Sequence, residues 1–446
     1  MVVLIKTLQV ILALSVLIVL HELGHFTFAK IFGIRVEKFF LFFDVKGVKL
    51  FSTKESKWFV RLFPKAAEAE TEYGIGWLPL GGYCKIAGMI DESMDLESLK
   101  QEPQPWEFRT HPAWQRLLVM FGGVLFNFIS AILFFTLILG INGETYVENE
   151  GNAIYVNELA YDMGFRTGDR ILRYDDYVPT DFYSLQADLA RRDVHKATVL
   201  RGADTVEIYI DRTMIGAVLS SPGMFDLAFP FVVDSIPPLS QNLHAGLRRG
   251  DKVVAVDSVL TAYAQDAKAR LAERAGQEAV LTLERDGEAT QVPVAVDSLG
   301  RIGVYMMVPG VQVRRYNALN VFPAGVRYTF TTIRDYLRDL RLVATPSTQA
   351  YKSVGSFIAI GQVFPSRWNW LQFLYLLGLL SVMLGVMNLL PIPGLDGGHI
   401  LFTLFEMLTG RKPSDKFLTV AQMIGMVLLL MLMFLAFGND IGRLIK

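Results

Sequence analysis

The sequence predicts an α-helical polytopic membrane protein: four transmembrane helices, a membrane-associated β-hairpin on one side, and two tandem β-rich domains on the other. Three observations carry this. The 446-residue chain is 52% hydrophobic with a mean hydropathy of +0.34, more apolar than an ordinary soluble protein. Apolar segments of spanning length, about 20 residues, occur at 2–31, 117–140, 371–390 and 417–437. A Gly-Asp pattern recurs at an offset of 82 residues in the long stretch between the second and third segments. The net charge of −1 argues against a nucleic-acid partner. The single cysteine, Cys84, excludes an intramolecular disulfide and a thiolate zinc cage.

The first segment resembles a signal peptide at its start, with Lys6 ahead of an apolar core. His21-Glu22-Leu23-Gly24-His25 follows that core directly, so it reads as an uncleaved membrane helix. On a helix, His21 and His25 share one face at i and i+4. Two imidazoles so placed bind a divalent metal, usually zinc, and Glu22 is placed to take a proton from a water the metal activates. The surroundings sharpen this signal, because ionisable groups at bilayer depth are expensive and tend to be functional.

With four spans, both termini lie on one side and the loops 32–116 and 396–416 on the other. Lys30, Arg35, Lys38, Arg109, Arg116, Arg411, Lys412 and Lys416 flank the spans on the loop side, against Lys6, Arg367, Arg443 and Lys446 opposite. The positive-inside rule therefore makes the 32–116 side cytoplasmic and 141–370 extracytoplasmic. Within 32–116, residues 73–86 are apolar, β-prone and broken by Gly81-Gly82, which reads as a hairpin. Pro79 suits an edge or a bulge there. The acidic, Pro-punctuated 92–104 reads as a solvated connection.

In the extracytoplasmic insert, Gly164-Phe165-Arg166-Thr167-Gly168-Asp169, followed by Asp175, recurs as Gly246-Leu247-Arg248-Arg249-Gly250-Asp251, followed by Asp257. Strand-like runs at 205–210, 279–283 and 291–296 surround the copies, so two similar β-rich domains are expected in tandem. Residues 322–342 carry Tyr328, Ile333, Leu337 and Leu340 at helical spacing and predict an amphipathic helix. The expected partition is 1–140, 141–236 and 237–310 for the two repeats, 311–370 for the amphipathic helix and linker, and 371–446.

A catalytic zinc site generally needs a third protein ligand and an open position. The candidate lies after the third span, in Asn388-Leu389-Leu390-Pro391-Ile392-Pro393-Gly394-Leu395-Asp396-Gly397-Gly398-His399. The prolines end or kink the helix and leave Asp396 in irregular backbone at the membrane boundary. Asp396 is either a metal ligand or the cap of the following helix, and His399 is an alternative ligand. Topology favours Asp396 as ligand, since the first and third spans both finish on the cytoplasmic side. His111, His195 and His244 are assigned no chemistry.

With these two motifs, the chain resembles the site-2 protease family of intramembrane zinc metalloproteases over nearly its whole length. The repeats look like paired PDZ domains, which narrows the resemblance to the bacterial sigma-E-regulating type of that family. The resemblance implies one zinc per chain held by His21, His25 and Asp396, with Glu22 as general base. It implies that residues 73–86 form the family's β element, which pairs with an extended substrate through Gly76, Leu78, Gly81, Gly82 and Tyr83. Asn388 corresponds to a residue that handles the substrate backbone. The implied activity is endoproteolysis within the transmembrane segments of single-span proteins, an anti-sigma factor or signal-peptide remnants, in the bacterial inner membrane. The periplasmic PDZ-like pair is implied either to bind peptide carboxyl termini or to exclude substrates that still carry large ectodomains. In the second span, Gly123 and Asn127 keep the family pattern, but Val124 stands where proline is usual. The competing class is a non-proteolytic membrane-anchored scaffold or a metal-binding transporter. A transporter should show paired repeats among its spans, and the repeat here is confined to the insert.

Overall fold

The computed structural model describes residues 2–79, 81–89, 102–221, 223–308 and 310–445. Most of the expected acidic connection, 92–101, lies outside the described residues. The chain forms two compact units, one of Met1–Gly143, Arg315–Leu340 and Val354–Lys446, the other of Glu144–Arg314 and Arg341–Ser353.

In the first unit the long helices are α1 (Val2–Ile31), α2 (Ala113–Asn142), α3 (Val321–Val343), α5 (Trp370–Leu389) and α7 (Asp415–Ile445). The shorter α4 (Phe357–Val363) and α6 (Asp396–Thr409) precede and follow α5. Four helices among the described residues are long and apolar enough to span a membrane: α1, α2, α5 and Lys416–Gly442 within α7. Their outward faces keep apolar side chains such as Leu133, Ile424 and Phe434 exposed. That suits a solvent of lipid tails, which gives no reason to bury them. Helix α3 is the expected amphipathic helix, and its Tyr328, Ile333, Tyr336 and Leu340 pack on Ala131, Phe135, Val382 and Val386 of α2 and α5. The buried Asp440 near the end of α7 accepts hydrogen bonds from the backbone N–H of Ser356 and Ala359, at 2.8 and 3.2 Å, and so caps α4.

Between α1 and α2 lies a four-stranded sheet of β1 (Val36–Leu41), β2 (Lys49–Ser52), β3 (Glu72–Gly76) and β4 (Tyr83–Ile86), in the order β2-β3-β1-β4. This corrects the expected hairpin at 73–86: β3 and β4 do not pair with each other. Strand β1 runs between them, parallel to β3 (Phe39 opposite Tyr73) and antiparallel to β4 (Phe39 opposite Cys84). The physical reason is that β1 follows directly on α1 and, with Val36 and Phe39–Leu41 around Glu37 and Lys38, offers a strand that both can pair with. The connection carrying Pro79 and the two glycines passes across the end of β1, where Phe43 and Leu78 exchange backbone hydrogen bonds of 3.2 and 3.3 Å.

In the second unit, β5 (Glu144–Val147) pairs with β17 (Val311–Arg314). The remaining strands fall into two sets with one order of elements. In the first, β6 (Ala153–Val156) pairs with β10 (Phe225–Ala228), and β7 (Arg170–Tyr174), β8 (Lys196–Arg201) and β9 (Asp204–Tyr209) form a meander. In the second, β11 (Phe231–Ser235) pairs with β16 (Tyr305–Met306) and with β12 (Lys252–Val256). The meander continues through β14 (Glu278–Arg285) and β15 (Glu288–Ala295), while the two-residue β13 (Val259–Leu260) pairs with β12. Strand β11 thus belongs with the second set, ahead of the boundary expected at 236/237. Residues 311–314, expected in the linker, close a ladder with β5 instead.

The Gly-Asp repeat is also a repeat of structure. Buried Asp169 accepts from the Arg166 N–H at 2.9 Å and from the Arg201 guanidinium at 2.8 Å, which also reaches the Gly164 carbonyl. Asp251 does the same with the Arg248 N–H and Arg285, both at 2.7 Å, and Arg285 reaches Gly246. Asp175 and Asp257 both sit at positive φ, 45° and 47°, and accept backbone N–H groups from the next long strand. Phe165, Ile171 and Val199 of one set and Val253, Leu281 and Leu283 of the other share one core.

Candidate metal centre

The site begins where α1 and α2 touch. A Cβ on Gly24 would stand 2.1 Å from the Gly122 carbonyl oxygen, and one on Gly122 would stand 2.6 Å from that of Gly24. Only glycines permit this approach, which is how small residues dock helices in a membrane. One residue further on, a Cβ on Gly123 would lie 2.4 Å from His25 Nε2 and 2.7 Å from His21 Cε1. Both imidazoles, 8% and 6% exposed, are therefore laid against bare α2 backbone. Helix α2 offers three positions to them at i, i+4 and i+8. The Val119 carbonyl accepts from His25 Nδ1 at 2.9 Å, Gly123 gives clearance, and the Asn127 amide lies 3.0 Å from His21 Nδ1.

The third component arrives from α5 and α6. After Leu389 the chain turns through the two prolines and Gly394, whose φ is +97°. It then enters α6, with Gly397 tucked against the Leu390 carbonyl and Gly398 against Ile392. Asp396 is the first residue of α6, and Leu395 occupies the cap position with no side-chain cap bond. The cap role is thereby excluded, and the carboxylate points at the histidines. Asp396 Oδ2 lies 3.3 Å from each Nε2, and the two Nε2 atoms are 3.3 Å apart. Ligands bound about 2.0–2.1 Å from a tetrahedral zinc stand roughly 3.3 Å apart, so this triangle fits the ion. Asp396 Oδ2 is buried without a hydrogen-bond donor, as expected of an atom shaped for a cation. His399 lies outside this ligand triangle and lines the adjoining cleft.

That cleft, about 360 Å³, is lined by His21, His25, Asp396, Glu22, Asn388, Gln422 of α7 and all of β4. Among the described residues, β4 is the last strand of its sheet. Of the expected substrate contacts, Asn388, Gly82 and Tyr83 reach the cleft, while Gly76, Leu78 and Gly81 do not. Gly76 is on β3, paired on both sides. Leu78 already spends its backbone groups on Phe43, and Gly81 faces the Phe43 ring. At the mouth, Tyr83 Oη donates to Asp44 at 2.8 Å and Lys38 Nζ to the same carboxylate at 3.1 Å. Burial pushes the Asp44 carboxyl up, but these two donors outweigh it and hold it below the usual carboxylate range. Sequence reasoning missed Lys38 and Asp44, and gave Asn127 and Gln422 no function. For the latter two the signal was available: each is a strongly polar residue in an otherwise apolar span.

The family model for peptidase family M50 matches residues 9–432. The chain belongs to that family. Across 97% of this chain and 98% of its own length, the regulator of sigma-E protease of Escherichia coli is 27% identical. The regulator of sigma E protease of Salmonella typhi is 27% identical over the same shares. A candidate zinc metalloprotease of Xylella fastidiosa is 28% identical over 97% of each chain. As a site-2 protease family member the protein is a zinc metalloendopeptidase. Where the family pattern has proline, Val124 is fully buried in an α2 that runs unbroken from Ala113 to Asn142.

Proposed function

We propose that the protein cleaves the transmembrane segments of single-span proteins, with zinc held by His21, His25 and Asp396 and Glu22 as general base. The observation that carries this reading is the 3.3 Å triangle of His21, His25 and Asp396 in a cleft lined by β4, among helices of spanning length. When bound, zinc polarises the scissile carbonyl and acidifies the attacking water. Glu22, on the next position of α1 and facing the cleft, takes the water's proton and delivers it to the leaving nitrogen. A helical substrate hides its scissile carbonyl and must unwind, which exposes amides that cost several kcal/mol each at that depth unless paired. Strand β4, which lines the cleft, pairs one side of the extended strand by β-augmentation. Asn388 and Gln422, whose amides each carry a donor and an acceptor, serve the peptide groups it leaves.

The substrate class extends to an anti-sigma factor after a first extracytoplasmic cut, or to signal-peptide remnants. The basic residues flanking the first and third loops support a site on the cytoplasmic side of the bacterial inner membrane. The repeated β sets would then be periplasmic PDZ-like domains that bind new carboxyl termini or exclude substrates with large ectodomains.

The test is cleavage of a tagged single-span protein in proteoliposomes, with products mapped by mass spectrometry. A cut within the span, made by wild type, lost with Glu22→Gln and Asp396→Asn and stopped by a chelator, is the expected result. Cleavage retained by Glu22→Gln would sink the assignment.

A further inference from the structure

The geometry points to Asn127 as a positioning residue of the metal site: its side-chain oxygen accepts the Nδ1–H of His21 and fixes the tautomer whose Nε2 lone pair faces the metal. The inference rests on the zinc reading above. Each ligand imidazole must present a bare Nε2, so each needs its proton on Nδ1 and an acceptor there to hold it. For His25 the backbone supplies that acceptor, the Val119 carbonyl at 2.9 Å. A carbonyl cannot donate, so the tautomer of His25 is decided. His21 Nε2 makes the same approach to the shared centre, 3.3 Å from Asp396 Oδ2, and needs the same help at its other nitrogen. The group found there, 3.0 Å from Nδ1, is the amide of Asn127.

Asn127 is fully buried, two turns along α2 from Val119 on the same face, and its Oδ1 has no partner. With Nδ2 toward the ring, the imidazole would have to carry its proton on Nε2, where it blocks metal binding. A half-turn about the Cβ–Cγ bond exchanges the two ends of the amide and moves nothing else. It gives the orphaned oxygen a donor and His21 the required tautomer, and it leaves Nδ2 on the side where Oδ1 had no partner. The backbone under Asn127 is itself pinned, since its carbonyl accepts from the fully buried Ser381 Oγ of α5 at 2.7 Å. One face of α2 thus orients both histidines, through the Val119 carbonyl for His25 and through the Asn127 side chain beside the Gly123 backbone for His21.

The test uses the full chain in detergent. Zinc affinity is measured by competition with a chromophoric chelator for wild type, Asn127→Leu and Asn127→Asp. The leucine keeps the size and removes the acceptor, while the aspartate keeps an acceptor in place. Nitrogen-15 spectra of histidine-labelled, zinc-loaded wild type report which ring nitrogen of His21 carries the proton. Expected are a loss of about 10–100-fold in zinc affinity for Asn127→Leu, affinity within about threefold of wild type for Asn127→Asp, and a proton on His21 Nδ1. A folded Asn127→Leu that binds zinc as wild type does would overturn the inference. So would a His21 that carries its proton on Nε2, a result that needs no variant to fold. Wild type that binds no zinc would instead overturn the metal-site reading on which this one stands.

Discussion

Replacing Gly123 by alanine isolates the contact between α2 and the ligand rings. By helix propensity alone the change should help, since alanine is better than glycine in a helix by roughly 1 kcal/mol. The added Cβ, however, lies 2.4 Å from His25 Nε2 and 2.7 Å from His21 Cε1. An ordinary carbon contact is about 3.5 Å, so rings or helices must separate by about 1 Å. Metal–ligand distances tolerate about 0.2 Å, and a 1 Å misplacement of reacting groups costs about 10²-fold in rate. A fall of at least ~10²-fold in zinc affinity is therefore expected, or about 2.7 kcal/mol. Two neighbours serve as controls. Gly140→Ala meets only Val321 Cγ2 at 3.4 Å and should be silent, whereas Gly122→Ala collides with the Gly24 backbone and should loosen the helix pair. The assay is zinc content after dialysis with chelator competition, beside thermal unfolding in detergent. A Gly123→Ala protein with wild-type zinc affinity would refute the claim that bare backbone is what admits the rings.

Three further outcomes are expected. Arg116 and Glu406 form a largely buried ion pair at 2.6 Å between α2 and α6, so Arg116→Met should destabilise by about 3–5 kcal/mol. The double variant with Glu406→Met should recover most of that in thermal unfolding, and no recovery would mean that the pair is not coupled. On the proposed reading Asn388→Leu and Gln422→Leu should lose at least about tenfold in cleavage, and Gln422→Leu should bind zinc nearly as wild type does, whereas Asn388 also lies 3.3 Å from His21 Nε2 through its Nδ2; wild-type cleavage by both would remove the substrate role. In the second unit, burial raises the Asp251 carboxyl, but the hydrogen bonds from Arg285 and Arg248 prevail and hold it below its ordinary value. Its contribution to stability is then complete above about pH 4 and is lost as pH falls through the lower folded value. Asp251→Asn should flatten that part of the acid-unfolding curve, and an unchanged curve would show that the carboxylate is not the group titrating.

Much of this architecture was legible in the chain. The four spans, the amphipathic helix and the 82-residue repeat all follow from local periodicity, which a sequence displays directly. So does the pairing of His21 with His25, since i and i+4 on a helix are neighbours whatever else the chain does. The strand arrangement at 36–86 was not legible. Residues 73–86 look like a hairpin because nothing local reveals that Val36–Leu41, interrupted by Glu37 and Lys38, inserts between the two strands. For the same reason Gly76, Leu78 and Gly81 were expected at the substrate edge and Lys38 and Asp44 were not.

What the sequence determined by itself is the inventory: two imidazoles on one helix face, a carboxylate released by two prolines, and spans apolar enough to set all of it in a membrane. What only the tertiary structure decided is convergence. Asp396 comes within 3.3 Å of histidines more than 370 positions earlier because glycines at 24, 122, 123, 397 and 398 let four backbone segments meet without side chains between them. Glycine announces that a close approach is permitted, but it does not name the partner. That choice is made by long-range packing, in which each helix excludes every arrangement but the one that fills the space.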